Sequence, residues 1–149
     1  MIAVIQRVTR AEVSVEGESV GRCGKGLLVL LGVAGGDTKD DADAIVKKIP
    51  SLRIFCNDED KMNLSLTDIG GEILAISNFT LLGNCRRGNR PDFTGAEKPA
   101  AANEMYEYFV SRLRESVPHV ATGIFGADMK VSLVNDGPFT IVLDSDEIF

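Results

Sequence analysis

The segment Asn135-Asp136-Gly137-Pro138-Phe139-Thr140 lies between two apolar runs and joins the most permissive backbone residue to the most restricted one. Its plainest reading is a hairpin turn, because Asn, Asp and Gly supply turn conformations readily. That reading leaves Pro138 directly after Gly137 unexplained, since an X-Pro bond that departs from trans is usually a deliberate feature. Three other segments carry residues able to meet a ligand. Ser77-Asn78-Phe79-Thr80-Leu81 closes an apolar run and offers backbone amides and a hydroxyl; its plainer reading is a strand end whose threonine bonds its own backbone. Arg86-Arg87-Gly88-Asn89-Arg90-Pro91-Asp92-Phe93 brings arginine forks suited to phosphate oxygens, or else a solvated loop. Thr122-Gly123-Ile124-Phe125-Gly126-Ala127-Asp128-Met129 sets an aromatic ring and a thioether among glycines, a slot for a flat base or plain core packing.

The residues that are missing narrow the chemistry. His119 is the only histidine and follows Pro118, so a Ser-His-Asp triad has poor prospects. Cys23, Cys56 and Cys85 are odd in number and widely spaced, which fits partly buried free thiols rather than a zinc site or disulfide framework. No GxGxxG, P-loop or HExxH pattern occurs, and neither metal nor cofactor is expected. An enzyme built this way must work through backbone amides, a positioned water or groups on its substrate.

Hydrophobic periodicity supplies the elements that would position these segments. Strands are expected at 2–9, 11–16, 19–22, 25–33, 53–56, 72–79, 122–125, 130–134 and 139–143. The run at 25–33 is apolar throughout, as in a strand covered on both faces. Helices are expected at 39–49, after an Asp37 or Thr38 cap, and at 99–116, where Pro99 opens the first turn. Residues 82–96 form a long irregular stretch of the kind that tends to be functional. The order predicts one α/β domain over residues 1–149, with layered, barrel-like sheets covered on one side by two helices.

Composition is that of an ordinary soluble domain: 149 residues, 44% hydrophobic and 26% charged. Neither apolar run is long enough for a membrane span or a secretion signal, so a cytoplasmic protein with no membrane partner is expected. The net charge of −6 disfavours unspecific binding of long duplexes. The stretch 84–90 nevertheless carries arginines and no acid, which suits the end of an RNA.

Taken in order, these segments resemble the D-aminoacyl-tRNA deacylase family. Val4 to Val8 with Arg7 matches its "VxxRV" strand, and Ser77 to Leu81 its "SQFTL", with Asn78 for glutamine. Gly88 to Phe93 matches "GNRPxF", Thr122 to Met129 "TGxFGAxM", and Asn135 to Thr140 "NxGPVT", with Phe139 for valine. The resemblance spans nearly the whole chain. It implies a homodimer that hydrolyses the ester of a D-amino acid, or of achiral glycine mischarged on tRNA(Ala), at the 3′-terminal adenosine of tRNA, as chiral proofreading in translation. It implies a cis Gly137-Pro138 bond, braced by Arg7, that reaches into the partner's site and excludes L side chains. It assigns the catalytic segment to Asn78, Phe79 and Thr80, with backbone N–H groups at Phe79 and Thr80 facing the ester carbonyl, and the adenine slot to Phe125 and Met129. Arg86, Arg87 and Arg90 are candidates for tRNA contact. Two rival readings stand beside it: a relative of the same fold that edits L-amino acids through a trans turn, and a non-catalytic RNA-binding or scaffold protein.

Overall fold

In the computed structural model, which describes residues 1–148, strand β1 (Ile2–Val15) is the spine of the molecule. The final residue of the 1–149 domain expected from the sequence lies outside the described residues. Alternating β-branched and small residues give β1 two usable faces. Its N-terminal half pairs antiparallel with β3 (Gly26–Gly32), and its C-terminal half with β2 (Glu18–Cys23). Strand β8 (Met129–Asp144) pairs antiparallel with β1 along the whole length. β3 is buried at almost every position and pairs parallel with β6 (Glu72–Ser77), which pairs parallel with β7 (Val120–Thr122). The sheet curls until β2 meets β7. A Cβ on Gly21 would lie 2.3 Å from the Thr122 carbonyl oxygen, so glycine permits this near-closure into a barrel. A separate hairpin joins β4 (Arg53–Cys56) and β5 (Met62–Ser65).

Helix α1 (Lys39–Lys48) buries Ala42, Ile45 and Val46. Helix α3 (Pro99–Leu113) buries Ala102, Tyr106, Phe109, Val110 and Leu113. These faces pack on Ile5, Leu27, Val29, Leu31 and Ile73 to form the larger core. The Tyr106 hydroxyl donates to the Ala75 carbonyl at 2.7 Å, so α3 is also pinned to β6 by a buried bond. A smaller core of Val8, Val13, Leu28, Leu74 and Ile76 lies on the opposite face of the sheet. Two one-turn helices, α2 (Leu66–Ile69) and α4 (Ser145–Ile148), and two 3-10 turns, Ile49–Ser51 and Phe79–Leu82, join these elements. The Met1 ammonium donates to Asp37 at 2.9 Å and to the Ser145 hydroxyl at 3.0 Å, tying the start of β1 to the α1 and α4 ends.

The α/β class, the barrel-like sheet and the two covering helices are as expected. Several element boundaries differ; the helix expected at 99–116 ends at Leu113 and the strand expected at 72–79 ends at Ser77. The strands expected at 2–9 and 11–16 are one strand, bent by register shifts between Gln6 and Arg10 that move its inward side chains from one core to the other. The strands expected at 130–134 and 139–143 are also one strand, and the hairpin expected between them is absent. The strand expected at 122–125 ends at Thr122. β5, α2 and α4 are too short to show a period in the sequence.

Phe109 is fully buried between α3 and the sheet. Phe109→Ala is expected to lower unfolding free energy by about 3–5 kcal/mol in a urea titration. A loss below about 1 kcal/mol would contradict the packing described.

Candidate active site

Where β6 ends, the chain tightens into a 3-10 turn, Phe79–Leu82, with Asn78 in extended conformation as its N-cap. The Asn78 carboxamide oxygen accepts from the Thr80 N–H at 3.2 Å and from the Thr80 hydroxyl. The first N–H groups of such a turn have no partner within it. Asn78 takes up one of them, and no acceptor for the Phe79 N–H is found among the described residues. The turn therefore presents a main-chain donor next to a hydroxyl whose proton already points at Asn78.

This turn forms one wall of a cleft of about 880 Å³. Phe125 and Met129 form another part of the lining, and Leu28, Leu30, Ile76, Val131 and Leu133 give it an apolar floor. Phe79 is 56% exposed and meets Phe93 edge-on, with ring centroids 5.3 Å apart. Apolar walls lower the local dielectric and strengthen any hydrogen bond formed inside. The charged side chains at the rim are Glu97, Lys98 and Asp128. Glu97 accepts from the N–H groups of Gly36 and Lys98, and Asp128 pairs with Lys130 at 3.0 Å.

Gly137 and Pro138 lie elsewhere. Gln6 pairs with Thr140 and Val8 with Asn135, so a single β1 residue, Arg7, faces the excursion Asp136 to Phe139. The strand does not reverse; it leaves the ladder and rejoins it. The Gly137-Pro138 peptide bond is cis, as the resemblance implies. A Cβ on Gly137 would fall 2.3 Å from the Phe139 nitrogen, so only glycine fits there. Arg7 donates through Nε to the Asp136 carbonyl at 2.8 Å and through Nη1 to the Ile54 carbonyl at 2.6 Å. Its guanidinium lies 4.7 Å from the centre of the Phe139 ring, and its side chain is 13% exposed. A cation this enclosed is stable only with its donors engaged.

Of the residues singled out from the sequence, Asn78, Phe79, Thr80, Phe125 and Met129 line the one cleft. Arg7, Gly137 and Pro138 form a second constellation that does not line it. Thr80 differs in one detail from expectation: its N–H is engaged by Asn78, leaving Phe79 as the unengaged donor. Arg86, Arg87 and Arg90 are exposed on a loop closed by paired bonds between Asn84 and Asp92, and they stay outside the cleft, although Phe93 at the loop's foot enters it. Gln6, Asn135 and Phe93 lie in segments singled out from the sequence, which assigns them no role of their own. Strand alternation was the available signal for Gln6, since it must face away from Arg7.

Among the described residues no nucleophile–base pair accompanies the cleft. His119 bonds the Arg22 carbonyl at 2.9 Å and faces Glu72, away from Thr80. Burial pushes the Cys23 thiol up to about 11 and the Tyr106 phenol up to about 12, so both stay neutral near pH 7. Cys56 and Cys85 are exposed, so the partial burial expected of the thiols holds for Cys23 alone. Among the described residues no cluster of three or more potential metal ligands occurs, and no helix is long and apolar enough to cross a membrane.

The profile of the D-Tyr-tRNA(Tyr) deacylase family matches residues 4–144. A D-aminoacyl-tRNA deacylase of Persephonella marina is 57% identical over 145 residues, covering 97% of this chain and 98% of the relative. One from Desulfitobacterium hafniense is 53% identical over the full length of both. A solved structure named c-Myc DNA Unwinding Element Binding Protein superimposes with a TM-score of 0.92 at 41% identity, covering 97% of this chain and 98% of that one. A probable eukaryotic D-amino acid tRNA deacylase shares the fold, with a TM-score of 0.81 at 17% identity over 95% of this chain and 97% of that one.

His119→Asn is expected to leave hydrolysis of an aminoacyl-tRNA ester within about twofold of wild type, whereas loss of a true general base costs roughly 10²–10⁴-fold. Initial rates near pH 7 decide between the two.

Proposed function

The chain belongs to the D-Tyr-tRNA(Tyr) deacylase family, and on that premise we propose that it hydrolyses the ester of D-aminoacyl-tRNAs, and of glycyl-tRNA(Ala), releasing amino acid and tRNA as a chiral proofreading step in the cytoplasm. The observation that carries the chiral part is the Arg7-braced excursion at Gly137-Pro138. A site that accepts every D side chain and refuses every L side chain cannot use a side-chain pocket. It needs a wall of fixed backbone, and backbone carbonyls in that wall also accept hydrogen bonds from a substrate α-ammonium. An L side chain would then point into the wall and a D side chain away from it.

Catalysis needs little more. An aminoacyl ester is already activated, and water attacking its carbonyl carbon builds negative charge on the oxygen. The Phe79 N–H is the donor for that charge; one such donor is typically worth about 3–4 kcal/mol. Thr80 positions rather than attacks, because its hydroxyl donates to Asn78 and no base adjoins it. The terminal 2′-hydroxyl of the tRNA assists the attacking water. Phe125 and Met129 take the terminal adenine between ring and thioether, and Arg86, Arg87 and Arg90 contact phosphates further along the acceptor end. The net charge of −6 argues against long duplexes as the main ligand.

The braced excursion and the cleft of one chain are separate, which supports a homodimer in which each turn enters the other copy's cleft. Val142, 64% exposed, and Val134 flank the excursion on β8 and supply apolar surface for that contact.

Two inactive variants test the arrangement. Phe79→Asp puts a carboxylate beside the developing oxyanion, and Gly137→Ala forces the turn to shift. Each alone should lose D-tyrosyl-tRNA hydrolysis. Mixed by co-refolding, they should regain about a quarter of wild-type activity, because half the dimers carry one intact cleft facing one intact turn. No recovery despite verified heterodimers would mean that each turn serves its own cleft.

A further inference from the structure

We infer that Asn135 is a positioning residue for chiral selection, closing the Gly137-Pro138 excursion into a fixed ring; the inference rests on the function proposed above. Residues 136–139 leave the β1–β8 ladder, and the main-chain groups of Phe139, where the strand is about to resume, must find other partners. Asn135 supplies them. Its carboxamide oxygen accepts from the Phe139 N–H at 2.7 Å, and its amide nitrogen donates to the Phe139 carbonyl at 3.1 Å. One side chain thus satisfies both main-chain groups of Phe139, much as a neighbouring strand would. The excursion is pinned where it leaves the strand and where it returns.

Arg7 holds the same segment from β1, at the Asp136 carbonyl and on the Phe139 ring. The two clamps share Phe139 but use different chemistry: Arg7 a cation, Asn135 a neutral donor–acceptor pair. Only a short carboxamide fits the second role. Aspartate keeps the acceptor, loses the donor and sets a charge against the Phe139 carbonyl. Glutamine is one methylene too long, and alanine leaves both groups without a partner. The Asn135 amide also approaches the Thr140 hydroxyl oxygen at 3.5 Å, which accepts from Gln6 at 3.4 Å. Gln6 lines the cleft, so Asn135 belongs to a polar line running from the excursion to the chain's own cleft wall.

Rates of D-tyrosyl-tRNA and L-tyrosyl-tRNA hydrolysis, with thermal midpoints, should be compared for the full chain, Asn135→Ala and Asn135→Asp. A wall misplaced by about an ångström can cost of order 10²-fold in rate, so the D-over-L ratio of kcat/KM is expected to fall by about tenfold or more in both variants. The D-substrate KM should rise more than kcat falls. Asn135→Asp is nearly isosteric and keeps the comparison informative if Asn135→Ala folds poorly. Variants that melt earlier yet hold the wild-type ratio within about twofold, the scale of a weak single hydrogen bond, overturn the inference and leave Asn135 a purely structural residue. A wild type with no preference for the D substrate overturns the proposed function and this inference with it. A discriminating wild type whose variants discriminate equally overturns the inference alone.

Discussion

The Arg7 guanidinium sits where three separate parts of the chain would otherwise come apart. It rises from the bend in β1, donates to the Ile54 carbonyl of the β4–β5 hairpin and to the Asp136 carbonyl of β8, and lies against the Phe139 ring. Each contact is needed by both sides. The cation is largely enclosed and cannot stay charged without acceptors, and each carbonyl gains a charged donor from it. Bending β1 at the same place moves its inward residues from the helix-covered core to the smaller one. The excursion, the bend and the hairpin are therefore one feature seen from three strands.

The cleft follows a different logic. Its walls are mostly apolar and its donor is a main-chain N–H at the head of a 3-10 turn, set by the Asn78 cap. A backbone donor of this kind is fixed by the fold, so it costs no reorganisation when charge develops on a substrate carbonyl. A Thr80 hydroxyl that donates to Asn78, with no side-chain base beside it among the described residues, fits an activated ester and would fit poorly with a stable amide. The proposed chemistry thus draws on two rigid backbone devices: one that stabilises charge and one that excludes a side chain.

Much of this was legible in the sequence, for reasons that differ by residue. The uninterrupted apolar run through Leu27 to Leu31 reads as a covered strand, and Pro99 with Met105, Tyr108, Phe109 and Leu113 at helical spacing marks α3, although the structure buries Tyr106 rather than Tyr108. The family resemblance brought Asn78, Phe79, Thr80, Phe125 and Met129 forward together, and they share one cleft. The excursion was misread as a hairpin because Asn-Asp-Gly-Pro carries local turn chemistry. Whether the chain reverses there depends on pairing with β1, more than a hundred residues away, which no local pattern encodes. The role of Asn135 is not legible for a similar reason: its two bonds to Phe139 exist only because the strand resumes. The arginine loop was easy to see, but its separation from the cleft depends on the fold of residues 84–92.

The most direct measurement is the ratio of kcat/KM on D-tyrosyl-tRNA to that on L-tyrosyl-tRNA, for wild type and for Arg7→Ala under one set of conditions. Wild type should cleave the D ester and spare the L ester. Removing Arg7 should shrink the ratio by about tenfold or more, the scale of a hydrogen bond to a charged donor. An Arg7→Ala protein that remains folded and discriminates as sharply as wild type would show that the braced turn does not set chirality.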